Sequence, residues 1–163
     1  MTTDIGEYIV GAYLKLVEGC DVIDYNVRPP GGGVAGLSEL DVIGLDFNTD
    51  TAYLCEATTH IRGVLYKNNQ ETVKRIKEKY ARQQDYAMQY LKNFKNHRFM
   101  FWSPVVPEGY ITERIINLNG LELIINGEYK ERINELMQLA KTTTHDSGNP
   151  FFRMLQIMGH MRD

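Results

Sequence analysis

The polar and apolar positions of this chain change period several times, and each change marks an element. Between Asp4 and Glu18, apolar residues recur at Ile5, Ile9, Ala12, Tyr13, Leu16 and Val17, a helical stripe that Gly19 brings to a stop. Asp21 to Val27 reads as a strand, with Val22, Ile23, Tyr25 and Val27 apolar and Arg28-Pro29-Pro30 closing it. Glu39 to Asp46 and Thr51 to His60 are two strand-length runs rich in apolar and β-branched residues, with a polar turn at Phe47-Asn48-Thr49-Asp50 between them. They predict a β-hairpin.

Ile61 to Asn69 reads as a loop or frayed strand end, and Gln70 to Asn96 as the longest helix. Its stripe of Val73, Ile76, Tyr80, Gln83, Ala87, Tyr90 and Phe94 alternates steps of three and four. Arg98 to Val106 is almost uninterruptedly apolar, hence a strand buried on both faces, and after a helix it should pair in parallel through a right-handed crossover. A short helical or irregular connection over Pro107 to Gly120 leads to a strand, Leu121 to Ile125. Glu128 to Lys141 then spaces Ile133, Leu136, Met137 and Ala140 as an amphipathic helix. After the polar stretch from Thr142 to Gly148, Asn149 and Pro150 open a last helix as cap and first-position proline.

That order predicts an α/β fold, a three-layer sandwich with a mixed central sheet. Residues 1–148 are expected to form the domain. Residues 149–163 form a tail so apolar that it either packs on that domain or docks on a protein partner or a second copy of the chain.

At 163 residues with 43 % hydrophobic and 24 % charged side chains, the chain suits one soluble globular core. Its start lacks a basic leader, and Gly11 and Lys15 break the apolar stretch from Tyr8 to Val17, so neither signal peptide nor membrane span is expected. The cytoplasm is the expected location. Cys20 and Cys55 match no metal-ligand spacing and read as buried thiols. The glycine-rich run from Gly31 to Gly36 lacks the Gly-Lys-Ser/Thr ending of a nucleotide loop and reads as a flexible connector.

The hairpin carries the candidate chemistry. A loop centred on Asn48-Thr49 sets Asp46 opposite Thr51, Ile43 opposite Leu54, Asp41 opposite Glu56 and Glu39 opposite Thr58. Alternation then projects Glu39, Asp41, Glu56 and Thr58 from one side of the sheet. Like charges facing each other across a pair repel, and half-buried carboxylates are costly without a counter-ion. Two readings account for them. The acids line a solvated face beside Lys or Arg, or they hold a hard divalent cation, Mg²⁺ or Mn²⁺, for which clustered carboxylates without a Cys-His set are suited.

Asp41, followed across a hairpin by Glu56-Ala57-Thr58, resembles the PD-(D/E)XK nuclease superfamily, and within it the Holliday-junction-resolvase-like small nucleases. The likeness extends over residues 4 to 60: Glu7 and Tyr13-Leu14 in the first helix, Gly19, a strand closing on Asn26, the glycine-rich loop, Glu39-Leu40-Asp41 and Glu56-Ala57-Thr58. It implies a restriction-endonuclease-like fold and a Mg²⁺- or Mn²⁺-dependent nuclease that cleaves DNA. Asp41, Glu56 and the carbonyl of Ala57 would hold the ion, with Glu39 or Glu7 serving a second ion or the attacking water. Glu7 has a competing role, since with Asp4 as cap it falls where a capping box places its acid.

The resemblance breaks at Thr58, where the family has a lysine that activates water and stabilises phosphate charge. Threonine could at most hydrogen-bond the water. Either the lysine role has moved, with Lys79 the first candidate and Lys74 the second, or the protein is a catalytically weakened relative that binds nucleic acid or serves in an assembly.

Charge distribution bears on the same question. Residues 1–61 carry ten acidic side chains against Lys15 and Arg28, whereas residues 62–98 carry ten basic ones against Glu71, Glu78 and Asp85. An acidic site followed by a basic segment suits a phosphodiester substrate, though a basic helix face is often only solubilising. Arg62, Lys74, Arg82 and Gln83 are the expected contacts to DNA.

Overall fold

In the computed structural model, which describes residues 2–32 and 39–163, five helices flank a sheet of five strands. Most of the glycine-rich connector lies outside the described residues. The elements are α1 (Ile5–Leu16), β1 (Val22–Val27), β2 (Leu40–Asp46), β3 (Thr51–Ala57), α2 (Asn69–Tyr90), β4 (Asn96–Ser103), α3 (Tyr110–Ile115), β5 (Leu121–Ile125), α4 (Gly127–Thr142) and α5 (Pro150–His160). The strands lie side by side in chain order. β1, β2 and β3 pair antiparallel, whereas β3, β4 and β5 pair in parallel, which makes the sheet mixed.

Alternation along the central strands divides the core into layers. Val42, Tyr53, Cys55, Met100 and Trp102 pack with α1, α4 and α5 through Val10, Leu14, Leu136, Ala140 and Phe152. Their neighbours Ile43, Leu54 and Phe101 face the other way, toward Val73, Ile76 and Ala87 of α2 and Ile111 and Ile115 of α3. Three layers result, as the pattern predicts. At Gly44 the sheet passes close under α1, and a Cβ there would meet Cys20 Sγ at 2.9 Å and Leu14 Cδ1 at 3.0 Å. Both cysteines are buried free thiols, as expected.

The hairpin register matches the sequence reading, with Asp46 opposite Thr51 and Ile43 opposite Leu54. Three boundaries differ by several residues. β3 ends at Ala57, short of His60. α2 stops at Tyr90, short of Phe94 and Asn96, because the chain turns where Phe94 N–H donates to Leu91 O, and Asn96 already pairs with Thr51. β4 ends at Ser103, before Val106, since Pro104 has no N–H to donate to a ladder.

The C-terminal tail packs on the domain. Asn149 caps α5 by accepting from Phe152 N–H at 3.0 Å and donates its amide to Tyr8 O at 2.9 Å, while Phe152 lies 2 % exposed in the core shared by α1 and α4. Phe152→Ala is expected to destabilise the protein by about 3–5 kcal/mol through the cavity it leaves. A urea midpoint unchanged from wild type would show the helix to be dispensable. Its outer face, with Met154, Ile157, Met158 and Met161, remains exposed. Among the described residues, no helix is long and apolar enough to cross a membrane.

Candidate active site

The acids of the hairpin meet at the carboxyl end of β3, next to the start of β2. Glu56 is only 2 % exposed there. Its Oε2 accepts from Lys79 Nζ at 2.7 Å, and its Oε1 is buried with no hydrogen-bond partner among the described residues. Asp41 lies beside it and turns Oδ2 to the Ala57 N–H at 2.8 Å, so the acid also fixes the end of the β3 backbone. Burial pushes the Glu56 carboxyl up to about 8 against the pull of Lys79, with the neighbouring Asp41 adding to the rise. Burial draws the Lys79 ammonium down, but Glu56 and Asp41 outweigh it and hold the group above the ordinary lysine value.

Lys79 reaches this point because of how α2 sits. Val73, Ile76, Tyr80, Gln83 and Ala87 are the buried stripe of the helix, and that stripe sets its rotation against the sheet. Lys79 lies on one flank of the stripe, where its stem runs to Glu56 while its side chain keeps 23 % of its exposure. Lys74, the second candidate for the lysine role, lies on the opposite flank, paired loosely with Glu78 at 3.9 Å. It is therefore not part of the acid cluster.

Glu7 has the capping role expected for it and also lies near Asp41. It forms a reciprocal capping box with Asp4, accepts from Asn26 Nδ2 at 3.0 Å, and is close enough to Asp41 for that charge to raise its carboxyl, although burial is the larger cause. Asn26 adopts a left-handed backbone at φ 53°, a conformation asparagine tolerates better than most residues. Its amide is thereby aimed at the acid.

Three expected site residues have other partners. Glu39 is buried against Arg28, with Nε to Oε2 at 3.2 Å, so its charge is answered by a cation. Thr58 donates its hydroxyl to Ser103 Oγ at 2.9 Å across the parallel β3–β4 pair, and is itself buried. The side chain acts as a link between strands. Thr58→Val is expected to lower stability by about 1 kcal/mol and to leave any cleavage rate unaltered; a rate loss beyond tenfold would return Thr58 to the chemistry. Gln83, expected on the DNA face, is 1 % exposed and donates to Met100 O at 3.0 Å. A buried amide that satisfies a strand carbonyl cannot touch nucleic acid. Arg62 is exposed in the loop after β3, and half-buried Arg82 lines a groove of 170 Å³ beside Leu40, Tyr86 and Tyr90.

One residue near the site carries no signal in the sequence. Tyr66 stands in the stretch read as loop, where its N–H donates to Thr72 Oγ1 at 2.7 Å and its ring lies under the Arg75 guanidinium at 5.0 Å. Burial raises its hydroxyl, and Lys79, Glu56 and Asp41 all act on it, which puts the ring beside the acid cluster. Loop residues follow no period, so only the fold reveals it.

Among the described residues, no three His, Cys, Asp or Glu side chains gather as a ready-made metal group. The available donors are two carboxylates, Asp41 and Glu56, with the partnerless Oε1 among them, and the Ala57 carbonyl next to them. That set suits Mg²⁺, which takes one or two carboxylates and keeps several waters, and does not suit a four-ligand zinc site.

Comparison with protein-family models, with curated proteins and with solved structures finds no match. The functional reading therefore rests on the geometry of the site.

Proposed function

We propose that the protein is a Mg²⁺-dependent nuclease of restriction-endonuclease-like architecture that hydrolyses DNA phosphodiester bonds. The observation that carries this reading is the Lys79–Glu56 contact of 2.7 Å beside Asp41. It supplies from α2 the cation that Thr58 does not provide. The element order also fits the family resemblance, and the cluster lies at the carboxyl ends of parallel strands, where open α/β sheets bind ligands.

Asp41, Glu56 and the Ala57 carbonyl would hold the ion. Bound Mg²⁺ lowers the pKa of its water and offsets phosphate charge. Lys79 orients Glu56 through its hydrogen bond and places a positive charge where the phosphate would lie. Glu7, held by Asp4 and Asn26, borders the cluster on the Asp41 side. Glu39 and Thr58 act on the scaffold through Arg28 and Ser103.

The test is incubation with supercoiled, linear, single-stranded and branched DNA in Mg²⁺ or Mn²⁺, beside Asp41→Asn, Glu56→Gln and Lys79→Met. Cleavage by the wild type that each variant loses is the expected outcome. Absence of cleavage by folded protein that still binds DNA would favour the second reading, a nuclease-fold protein that binds nucleic acid without turnover, for which the threonine at position 58 already speaks.

A further inference from the structure

A second charged feature of α2 is not used by the acid site. Between α2 and α3 runs a groove of 510 Å³ lined by Lys74, Lys77, Glu78, Tyr110 and Arg114. Three of these are cations and one is an acid. The acid is weakly engaged, since Glu78 and Lys74 are both largely exposed and their 3.9 Å pair is of the kind that contributes little. Lys77 is exposed and has no ion pair or hydrogen bond with any described side chain. The Arg114 guanidinium lies 3.4 Å over the Tyr110 ring and donates to Tyr110 O at 3.1 Å, so it is already fixed before a ligand arrives.

We infer that this groove binds the phosphodiester backbone of a nucleic acid at a distance from the acid cluster, through Lys77, Arg114 and Lys74. A polyanion is the occupant its charge favours, against the net charge of −3 of the protein as a whole. Arg114 presents a flat, fixed guanidinium suited to a phosphate, and Lys77 is a point charge beside it.

Where the proposed cleavage site is correct, the groove sets a length requirement. Lys77 and Lys79 are two residues apart and so point about 200° apart around the helix. A strand bound at both must pass across α2, which with side chains is about 10–12 Å wide, a distance equal to about three to four base pairs. The groove would therefore grip DNA a few base pairs to one side of the scissile bond.

The test is binding of a fluorescein-labelled 24-base-pair duplex in EDTA, followed by anisotropy over a salt series, for wild type, Lys77→Ala with Arg114→Ala, and Lys130→Ala on the opposite layer as control. The double variant should weaken binding and reduce the slope of log K against log salt by about two, with the control unchanged. An unaltered slope in the double variant, an equal change in the control, or no binding by wild type overturns the inference. Lys77→Glu alone, a change at an exposed position that alters the charge by the same two units, should weaken binding to a similar extent, and an unaltered affinity in it would overturn the inference even if the double variant did not fold. Because no divalent ion is present, the result is independent of turnover: binding through the groove in EDTA, together with no cleavage when Mg²⁺ or Mn²⁺ is supplied, would defeat the nuclease reading and leave this one standing.

Discussion

Lys79→Met should destabilise the protein by about 2 kcal/mol more at pH 9.5 than at pH 6, because across that range the wild-type Glu56 carboxyl ionises against its lysine while the variant's stays protonated. Glu56 would be left buried without its cation, and its carboxyl, already raised from 4.5 to about 8, would rise further. Between the unfolded value of 4.5 and the raised folded value the native state binds the extra proton, so stability falls as pH increases through that window, which closes near 8 in wild type and extends higher in the variant. Below 4.5 the carboxyl is protonated in both states and the penalty disappears. Urea midpoints of wild type and variant at the two pH values decide the matter. Equal losses at both would mean that the lysine stem, and not its charge, is what matters. The same variant should lower any DNA cleavage about 10²- to 10⁴-fold, the range for a positioned polar group in the reaction.

The second large effect concerns the divalent ion. Saturating Mg²⁺ or Mn²⁺ at about a hundred times its dissociation constant should stabilise wild type by about 2.7 kcal/mol, which for a domain of this size corresponds to a melting-temperature rise of about 5–10 °C. Asp41→Asn should abolish that rise. Without metal the variant should be no less stable than wild type, because the asparagine oxygen still accepts from the Ala57 N–H and a like charge beside Glu56 has gone. A rise of equal size in the variant would place the ion elsewhere; no rise in wild type would remove the metal from the account.

The site shows where a linear reading succeeds. Asp41 and Glu56 were placed together by a short turn and the two-residue period of strands, and both are local properties. Lys79 was a candidate from its place beside an apolar stripe, yet nothing in the sequence distinguished it from a solvated helix lysine. Gln83 shows the opposite case. A polar residue within the same stripe suggested a side chain reaching the site, but the stripe is buried along that length and the amide instead finds Met100 O. The need to pair a buried donor is met in both, by Glu56 for Lys79 Nζ and by Met100 O for Gln83 Nε2, although Gln83 Oε1 has no hydrogen-bond partner among the described residues; the partner's identity depends on which strand lies beneath.

What the sequence by itself determined is the set of elements, the hairpin register and the division of residues between the two faces of the sheet. These follow from periodicity and from a turn only a few residues long, so neighbours along the chain suffice. The tertiary structure alone decided that Glu39 meets Arg28, that Thr58 meets Ser103, and that Lys79 meets Glu56. Each of these contacts joins separate elements, and depends on strand order, parallel register and the rotation of α2 on its core stripe. Packing of the whole chain sets those quantities, and so it also sets which charges are neutralised and which remain available for chemistry.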